Sequence, residues 1–196
     1  KDLDETVQKQ VYAAAGQVKL MTSYTAVFAE HATTCAQILL TKEDFRDEMH
    51  YTNTRNCLDA MIESGIVPVV NENDVTATTE LLFTDNDELA SLLALQLQVQ
   101  AVILLTSVDG LIHGVIGDPT SYVIPEVPYD KNDEFEKLVT KDVSPEGRGG
   151  MHTKFAIARE LAKENIVTYI AHGKKPNVLE HIIDGKPMGT KFLTLK

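Results

Sequence analysis

The chain has 196 residues, with 18 basic and 29 acidic side chains, and therefore a formal net charge of -11. Its content of 43% apolar and 24% charged residues excludes collagen-like, disordered and disulfide-rich classes. The acidic balance also argues against a general nucleic-acid-binding protein, which needs a basic face. Residues 1–100 hold 16 of the acidic side chains but only 2 of the 11 glycines. A phosphate-binding loop, which needs glycines and basic groups, is therefore expected in the second half.

Helices and strands are predicted to alternate along the chain. Apolar residues at three- and four-residue spacing from Val7 to Met21 predict a first helix, and short apolar runs predict buried strands. Gly65 is expected to end the second helix. Residues 107–142 are polar and are expected to form mostly loop, with a short helix near 134–139. The remaining predicted elements are, in chain order, strand 35–41, helix 53–63, strand 66–70, helix 88–98, strand 101–106, helix 151–164, strand 166–171, helix 177–183 and strand 191–195.

This alternation predicts the fold class. Because the strands are continuous apolar runs, we expect a three-layer αβα sandwich around a mainly parallel sheet that is buried on both faces. Residues 90–108 carry no formal charge over nearly the length of a membrane span, but they include several glutamines. A helix that leads into a buried strand is the better interpretation, and we expect no membrane segment. Cys35 and Cys57 lie far apart and predict reduced, partly buried thiols in a cytoplasmic protein.

Two acidic motifs lie next to predicted elements in the first half, one after a strand and one before a helix. Asn71-Glu72-Asn73-Asp74 comes directly after a strand, where carboxamides and carboxylates can bind a ligand that carries both donors and acceptors. The alternative is a simple polar turn. Asp85, Asn86 and Asp87 precede a helix, which needs only one of them, Asp85 or Asn86, as its N-cap. Together the two motifs would attract an amino group.

Two further motifs in the second half suit a phosphorylated ligand. Thr106 and Ser107 follow a strand and could contact ribose or phosphate, although such residues are also common in turns. A glycine-rich segment then opens a helix, whose N–H groups and Lys154 could bind phosphate; the alternative is a flexible hinge. The histidines show no metal-ligand spacing, so no protein-bound metal site is expected. The residues of the glycine-rich segment that we expect at the nucleotide are Arg148, Gly149, Gly150, Met151, His152, Thr153 and Lys154.

Taken together, these motifs resemble the glutamate 5-kinases, a branch of the amino acid kinase family. The similar sequence segments include AAAGQ at 13–17, IVPVVNEND at 66–74, DNDELA at 85–90, LLTSVDGL at 104–111, GGMHTK at 149–154 and MGTKF at 188–192. NEND followed eleven residues later by DND is specific to this branch. The resemblance implies ATP-dependent phosphorylation of the γ-carboxylate of L-glutamate in proline biosynthesis, with Mg²⁺ on the ATP and proline as inhibitor.

The resemblance also implies roles for individual residues. Asn71, Asp74, Asp85 and Asn86 would bind glutamate, and Asp74 with its neighbours would sense proline. Asp87 would orient the catalytic lysines, and Lys154 would stabilise charge on the transferring group. Thr106 and Ser107, with the segment from Arg148 to Lys154, would bind ATP. A homo-oligomer is implied, with the helix around residues 51–62 as a candidate interface.

Departures from the family pattern concern the chain ends and one loop. The family opens with a strand ending in lysine and a glycine/serine loop, then a second strand, which these residues do not include. Residues 1–196 are thus expected to form one kinase domain that lacks its first strands and has no appended C-terminal domain. Without the first lysine, these residues alone are expected to be inactive. The run Ile112–Pro119 differs from the family pattern at the expected adenine contacts. Alternatives are a regulatory pseudokinase that binds glutamate or proline, and another amino acid kinase such as acetylglutamate kinase.

Overall fold

The computed structural model describes residues 4–76, 83–115, 118–137 and 150–195. The chain divides into two compact units, residues 1–89 and residues 90–196. Each unit carries one group of the predicted site residues, the acidic motifs in the first and the nucleotide motifs in the second.

The first unit contains a pair of parallel strands with helices before and between them. The two strands pair in register from Thr34 opposite Ile66 to Leu40 opposite Glu72. The first helix has Asp4 as its N-cap and packs on β1, although none of its residues is buried. The elements are α1 Glu5–Glu30, β1 Thr34–Leu40, α2 Glu43–Arg46, α3 Glu48–Glu63 and β2 Ile66–Glu72.

Two element boundaries in this unit differ from the predicted ones. Helix α3 begins five residues before the predicted start because Asp47 accepts a hydrogen bond from the His50 N–H at 2.9 Å. It ends as predicted before Gly65, which has a φ of +71°. Strand β2 continues through Asn71 and Glu72, which were predicted to begin a loop. These polar residues stay extended because β1 still provides backbone partners there.

The uncharged segment 90–108 folds as a helix followed by a strand, as predicted. Helix α4 covers Asn86–Leu97, and strand β3 covers Ala101–Thr106. Gln98, with a φ of +51°, lies in the connection between them. Among the residues that the structure describes, no helix is long and apolar enough to cross a membrane.

A four-stranded mixed sheet forms the centre of the second unit. Its strand order is β3-β7-β8-β6, with parallel pairing between β3 and β7 and between β6 and β8, and antiparallel pairing between β7 and β8. The flanking helices come from the predicted segments. These elements are β6 Glu126–Val127, α6 Met151–Lys163, β7 Val167–His172, α7 Val178–Ile183 and β8 Thr190–Phe192.

The polar region 107–142 holds more regular structure than the sequence predicts. It contains an antiparallel hairpin of β4 Ile112–His113 and β5 Tyr122–Val123, in addition to β6. These two-residue strands are too short to produce a periodic pattern. The predicted short helix is present as a 3₁₀ turn followed by α5 Asn132–Glu136. The part of the prediction beyond residue 137 lies outside the described residues.

The core of the second unit lies between α6 and the sheet. Phe155 on α6 and Phe192 on β8 meet edge to face, with ring centroids 5.3 Å apart, and both are buried. Leu104, Ala158 and Ile170 pack in the same cluster. Burial of each large side chain stabilises the fold by about 1.5–3 kcal/mol, so this cluster fixes α6 on the sheet.

The cysteines differ in exposure. Both are free thiols, as predicted. Cys35 is half-buried, but Cys57 is exposed, so the prediction of two partly buried thiols is wrong for Cys57. The helical face that carries Cys57 was not predicted, because α3 lacks a clear apolar stripe in its sequence.

Candidate functional site

A chain of three amides leads to Asn71 at the end of β2. Asn71 Nδ2 donates to Oε1 of Gln17 on α1 at 3.0 Å. Gln17 Nε2 in turn donates to Oε1 of Gln37 on β1 at 3.2 Å. Because both Gln17 and Asn71 are half-buried, these hydrogen bonds fix the orientation of the Asn71 amide at the carboxyl end of the strand.

Glu72 connects the two acidic motifs. Its Oε1 accepts a hydrogen bond from the backbone N–H of Phe83 at 2.6 Å. Phe83 is buried and meets Phe45 edge to face, with centroids 5.9 Å apart. The segment that leads into Asp85 is therefore held against the end of β2, so the first and second motifs belong to one site.

Asp85 caps helix α4 with one carboxylate oxygen. Its Oδ1 accepts from the Glu88 N–H at 2.9 Å, so Asp85, rather than Asn86, is the N-cap. Its Oδ2 is buried and has no hydrogen-bond partner among the residues that the structure describes. A buried carboxylate oxygen without a partner is costly, which makes it a candidate acceptor for a ligand's donor.

Glu88 supports this cap from the other side. Its Oε2 accepts from the Thr84 N–H at 2.7 Å, and its Oε1 lies 3.0 Å from the Lys42 ammonium. Burial acts to raise the pKa of Glu88, but the hydrogen bonds from Thr84 and the charge of Lys42 outweigh it and hold the pKa below its ordinary value of 4.5. Lys42 also lies over the Phe83 ring, 5.9 Å from its centroid.

The remaining acidic-motif residues have different environments. Asp74 lies in the exposed turn after β2, and Asn86 is exposed in the first turn of α4. Asp87 is half-buried in the same turn. The hydrogen bonds described above orient Asn71, Glu72 and Asp85, whereas the side chains of Asp74 and Asn86 are exposed to solvent.

A cavity of about 410 Å³ opens at the carboxyl end of β3 in the second unit. Ser107 lies on its wall, whereas Thr106 ends β3, and the carbonyl of Thr106 accepts a hydrogen bond from the Gly173 N–H at 2.9 Å. Most of the wall comes from the bend after β3 and from the β4–β5 hairpin. The lining residues are Ser107, Val108, Asp109, Ile112, Ser121, Tyr122, Val123 and His172.

Basic residues lie at the end of β7 and after it, and of these His172 lines the cavity. Lys175 lies 2.9 Å from Asp109 Oδ2, and both side chains are partly exposed. His172 Nδ1 accepts a hydrogen bond from the Lys174 N–H at 3.1 Å. The cavity therefore combines the hydroxyls of Ser107 and Ser121 and the Asp109 carboxylate with the His172 ring, a mixed lining that suits a polar ligand.

Helix α6 begins after Gly150, its N-cap, which has no side chain to accept a hydrogen bond. Within the described ranges, the first N–H groups of the helix, at Met151, His152 and Thr153, are thus candidates for another acceptor. Lys154 follows in this turn and is 8% exposed. Arg148 and Gly149, also predicted at the nucleotide, lie outside the described residues.

Sequence reasoning missed four residues that hold the site together. They were overlooked as supports because a supporting hydrogen bond leaves no spacing pattern; Gln17, Glu72 and Glu88 lay in quoted motifs, whereas Lys42 did not. Among the residues that the structure describes, no group of His, Cys, Asp and Glu could hold a metal ion. The missed residues are Gln17, Lys42, Glu72 and Glu88.

The fold is similar to those of two solved kinase structures. UMP kinase from Bacillus anthracis matches 96% of this chain and 70% of its own, with a TM-score of 0.62 and 11% identity. Isopentenyl phosphate kinase from T. acidophilum, in its product complex, matches 93% and 68%, with a TM-score of 0.55 and 15% identity. At these identities the similarity concerns the fold alone, and it confirms the predicted α/β class.

The sequence itself identifies the family. The amino acid kinase family profile matches residues 1–172, so the chain belongs to the amino acid kinase family. Similar proteins include the glutamate 5-kinases of Bacteroides thetaiotaomicron, 43% identical over 93% of this chain, and Chlorobaculum tepidum, 47% identical over 96%. The glutamate 5-kinase of Proteus mirabilis is 39% identical over 100% of this chain. The chain spans about half the length of these relatives, with 50%, 51% and 53% coverage, respectively.

Proposed function

We propose that the protein is a glutamate 5-kinase, which transfers the γ-phosphoryl group of ATP to the side-chain carboxylate of L-glutamate. The observation that carries this proposal is the hydrogen bond from the Phe83 N–H to Glu72, which joins the two acidic motifs into one site. The names of the curated relatives support the same activity. Family membership supports the use of ATP.

The acidic site suits the amino-acid end of glutamate. The unpartnered Oδ2 of Asp85 would accept a hydrogen bond from the substrate ammonium, and the carboxylate of Asp74 would add negative charge. Asn71 and Asn86 can donate to the α-carboxylate, since carboxamides provide donors as well as acceptors. These contacts would orient the substrate so that its γ-carboxylate remains available as the nucleophile.

The second unit suits the nucleotide. The cavity beside β3 would hold ATP, with Thr106 and Ser107 at its β3 end. The uncapped N–H groups of α6 and the Lys154 ammonium would bind phosphate oxygens and stabilise the charge on the transferring group. In the reaction, a γ-carboxylate oxygen forms a bond to the γ-phosphorus while the bond from that phosphorus to ADP breaks.

Two further parts of the proposal concern the metal and regulation. Because no described cluster is a metal site, Mg²⁺ would arrive bound to the ATP phosphates with few protein ligands. Asp87 would position the lysine groups around these phosphates. Proline shares an ammonium and an α-carboxylate with glutamate, so we propose that it inhibits by binding at Asp74 and its neighbours. A homo-oligomer with α3 at its interface is part of the same proposal.

A hydroxamate assay tests the activity directly. Hydroxylamine converts an acyl phosphate to a coloured hydroxamate, so the whole protein that carries these residues should give signal with ATP and L-glutamate, and added proline should reduce it. L-aspartate and N-acetyl-L-glutamate are the matched acceptors, one a methylene shorter and one without the ammonium. Faster turnover of N-acetylglutamate would indicate an acetylglutamate kinase. Glutamate or proline binding without ATP-dependent product would indicate a regulatory pseudokinase.

A further inference from the structure

Thr190 lies at a buried junction in the second unit. It is the first residue of β8, and its side chain is inaccessible to solvent. Its hydroxyl donates to the carbonyl of Ile124 at 2.6 Å and accepts from the N–H of Leu111 at 2.8 Å. The N–H of Ile124 donates to the Leu111 carbonyl at 2.8 Å. One hydroxyl therefore clamps both ends of the segment 111–124.

Two glycines allow this clamp to form. Gly110 has a φ of +147°, and a Cβ at that position would lie 2.7 Å from the Thr190 hydroxyl oxygen. Gly189 has a φ of +70°, and a Cβ there would lie 2.2 Å from the Ile170 carbonyl oxygen. The main chain thus approaches Thr190 as closely as glycine permits on both sides, which fixes the position of the hydroxyl.

The clamped segment forms one wall of the nucleotide cavity. Four of the eight lining residues, Ile112, Ser121, Tyr122 and Val123, belong to the β4–β5 hairpin that this segment carries. Tyr122 stacks on His113 within the hairpin, with centroids 4.9 Å apart. The hairpin strands have only two residues each, so their own ladder holds them weakly. The Thr190 hydrogen bonds therefore join both ends of the segment to β8, in addition to the Ile124-to-Leu111 hydrogen bond and the packing of both residues in the core.

We propose that Thr190 is a positioning residue for nucleotide binding. It does not line the cavity, but its hydroxyl holds the wall segment 111–124 against β8. The proposal rests on the proposed function, since it requires that this cavity takes ATP. Loss of the hydroxyl leaves a buried donor at Leu111 and a buried acceptor at Ile124 without their partner, so the segment can satisfy them only by moving.

The decisive comparison is Thr190→Val against Thr168→Val. Both threonines are inaccessible to solvent and lie in the same sheet, but the Thr168 hydroxyl has no hydrogen-bond partner among the residues that the structure describes. We expect T190V to raise the dissociation constant of MgATP about tenfold, which equals about 1.4 kcal/mol. T168V removes the same atom type without removing a hydrogen bond, and should change it less than about twofold. Calorimetric titration of MgATP measures both.

Three readouts separate positioning from general destabilisation. Thr190→Ser keeps the hydroxyl and should restore wild-type MgATP affinity. In turnover assays, T190V should raise the KM for ATP and leave the KM for glutamate unchanged, whereas partial unfolding would lower the apparent kcat alone. If T190V does not fold, Thr190→Cys replaces it, because a thiol is a weaker hydrogen-bonding group and should weaken MgATP binding more than T190S.

The outcomes also distinguish this inference from the proposed function. If the wild-type protein does not bind MgATP, the proposed function fails. If the wild-type protein binds MgATP and T190V binds it equally well, the positioning role of Thr190 is wrong. Equal weakening in T190V and T168V, or in T190S and T190V, would also overturn it, since packing rather than the hydroxyl would then be responsible.

Discussion

Asn71 and Gln17 are joined by a 3.0 Å hydrogen bond from Nδ2 to Oε1, although 54 residues separate them in the chain. This bond orients the Asn71 amide at the carboxyl end of β2. Its acceptor, Gln17, lies on α1, a helix that carries none of the candidate ligands. Helix α1 therefore contributes to the acidic site through one side chain. This contribution can be measured separately, because Gln17 is not itself proposed to contact glutamate.

Gln17→Leu should weaken glutamate binding. Leucine keeps the approximate volume but removes the acceptor for Asn71, and a lost hydrogen bond of about 0.5–1.5 kcal/mol corresponds to a rise of about two- to tenfold in the glutamate KM. The ATP KM should be unchanged. Gln8→Leu is the matched control, because Gln8 lies on the same helix and its amide donates to the exposed Tyr12 hydroxyl rather than to a candidate ligand. Equal KM values for Q17L and Q8L would contradict this role.

Asp85→Asn should separate capping from ligand binding. Asparagine retains an oxygen for the Glu88 N–H and is about as good an N-cap as aspartate, so the urea midpoint should change little. The negative charge proposed to face the substrate ammonium is lost, and a charge-assisted hydrogen bond of about 1.5–3 kcal/mol predicts a glutamate KM about 10- to 100-fold higher.

The control for Asp85 is another capping aspartate. Asp47 caps α3 in the same way, through the His50 N–H at 2.9 Å, and is not a candidate ligand. Asp47→Asn should leave both the urea midpoint and the glutamate KM close to wild type. If D85N also leaves the KM unchanged, Asp85 is a structural cap and does not bind the substrate.

The sequence predicted the larger elements well because their signals are local. Apolar periodicity and Gly65 placed α3's end, and the apolar runs placed β1 and β3 almost to the residue. The hairpin at Ile112–His113 and Tyr122–Val123 was missed, because its strands have only two residues each and the flanking Leu111 and Ile124 bond to the distant Thr190 hydroxyl. Long-range contacts of this kind leave no periodic trace in the chain.

The sequence indicated candidate ligands for the site but not the residues that support them. The acidic motifs were recognisable from their composition. Ser107 and Lys154 were recognisable because they follow a predicted strand and a glycine-rich segment, respectively. Glu72 stood within the first motif, yet nothing in the sequence indicated that it binds the backbone of Phe83. Its role follows from a contact between two residues that lie 11 positions apart, and a single sequence does not specify that contact.

Glu88 should make stability depend on pH on the acidic side. Its lowered pKa means that its contribution is complete above the ordinary value of 4.5 and is lost as the pH falls through the lower value in the folded protein. Glu88→Gln should therefore lower the urea midpoint at about pH 7, and the difference from wild type should shrink toward zero near about pH 3. A difference that is independent of pH would contradict the assignment.

The matched control for Glu88 is an exposed carboxylate with a lowered pKa. The hydrogen bond and charge of Lys9 lower the pKa of Glu5, and the pair lies at the surface of α1. Salt screens exposed pairs, so any effect of Glu5→Gln should disappear at about 1 M salt, whereas part of the Glu88→Gln effect should remain.

Lys154→Met should reduce the rate of phosphoryl transfer while the protein stays folded. Methionine preserves the length and the apolar stem of the side chain, which is 92% covered at the start of α6. It removes the cation proposed to stabilise the transferring group, and loss of one such group typically lowers kcat by about 10²- to 10³-fold. Lys154→Arg keeps the charge but changes its geometry, so its kcat should lie between those of wild type and K154M.

Lys163→Met is the control on the same helix, because Lys163 is exposed and pairs with Glu160, and it should leave kcat unchanged. A K154M enzyme with more than about one-tenth of wild-type kcat would show that this ammonium does not act on the transferring phosphoryl group.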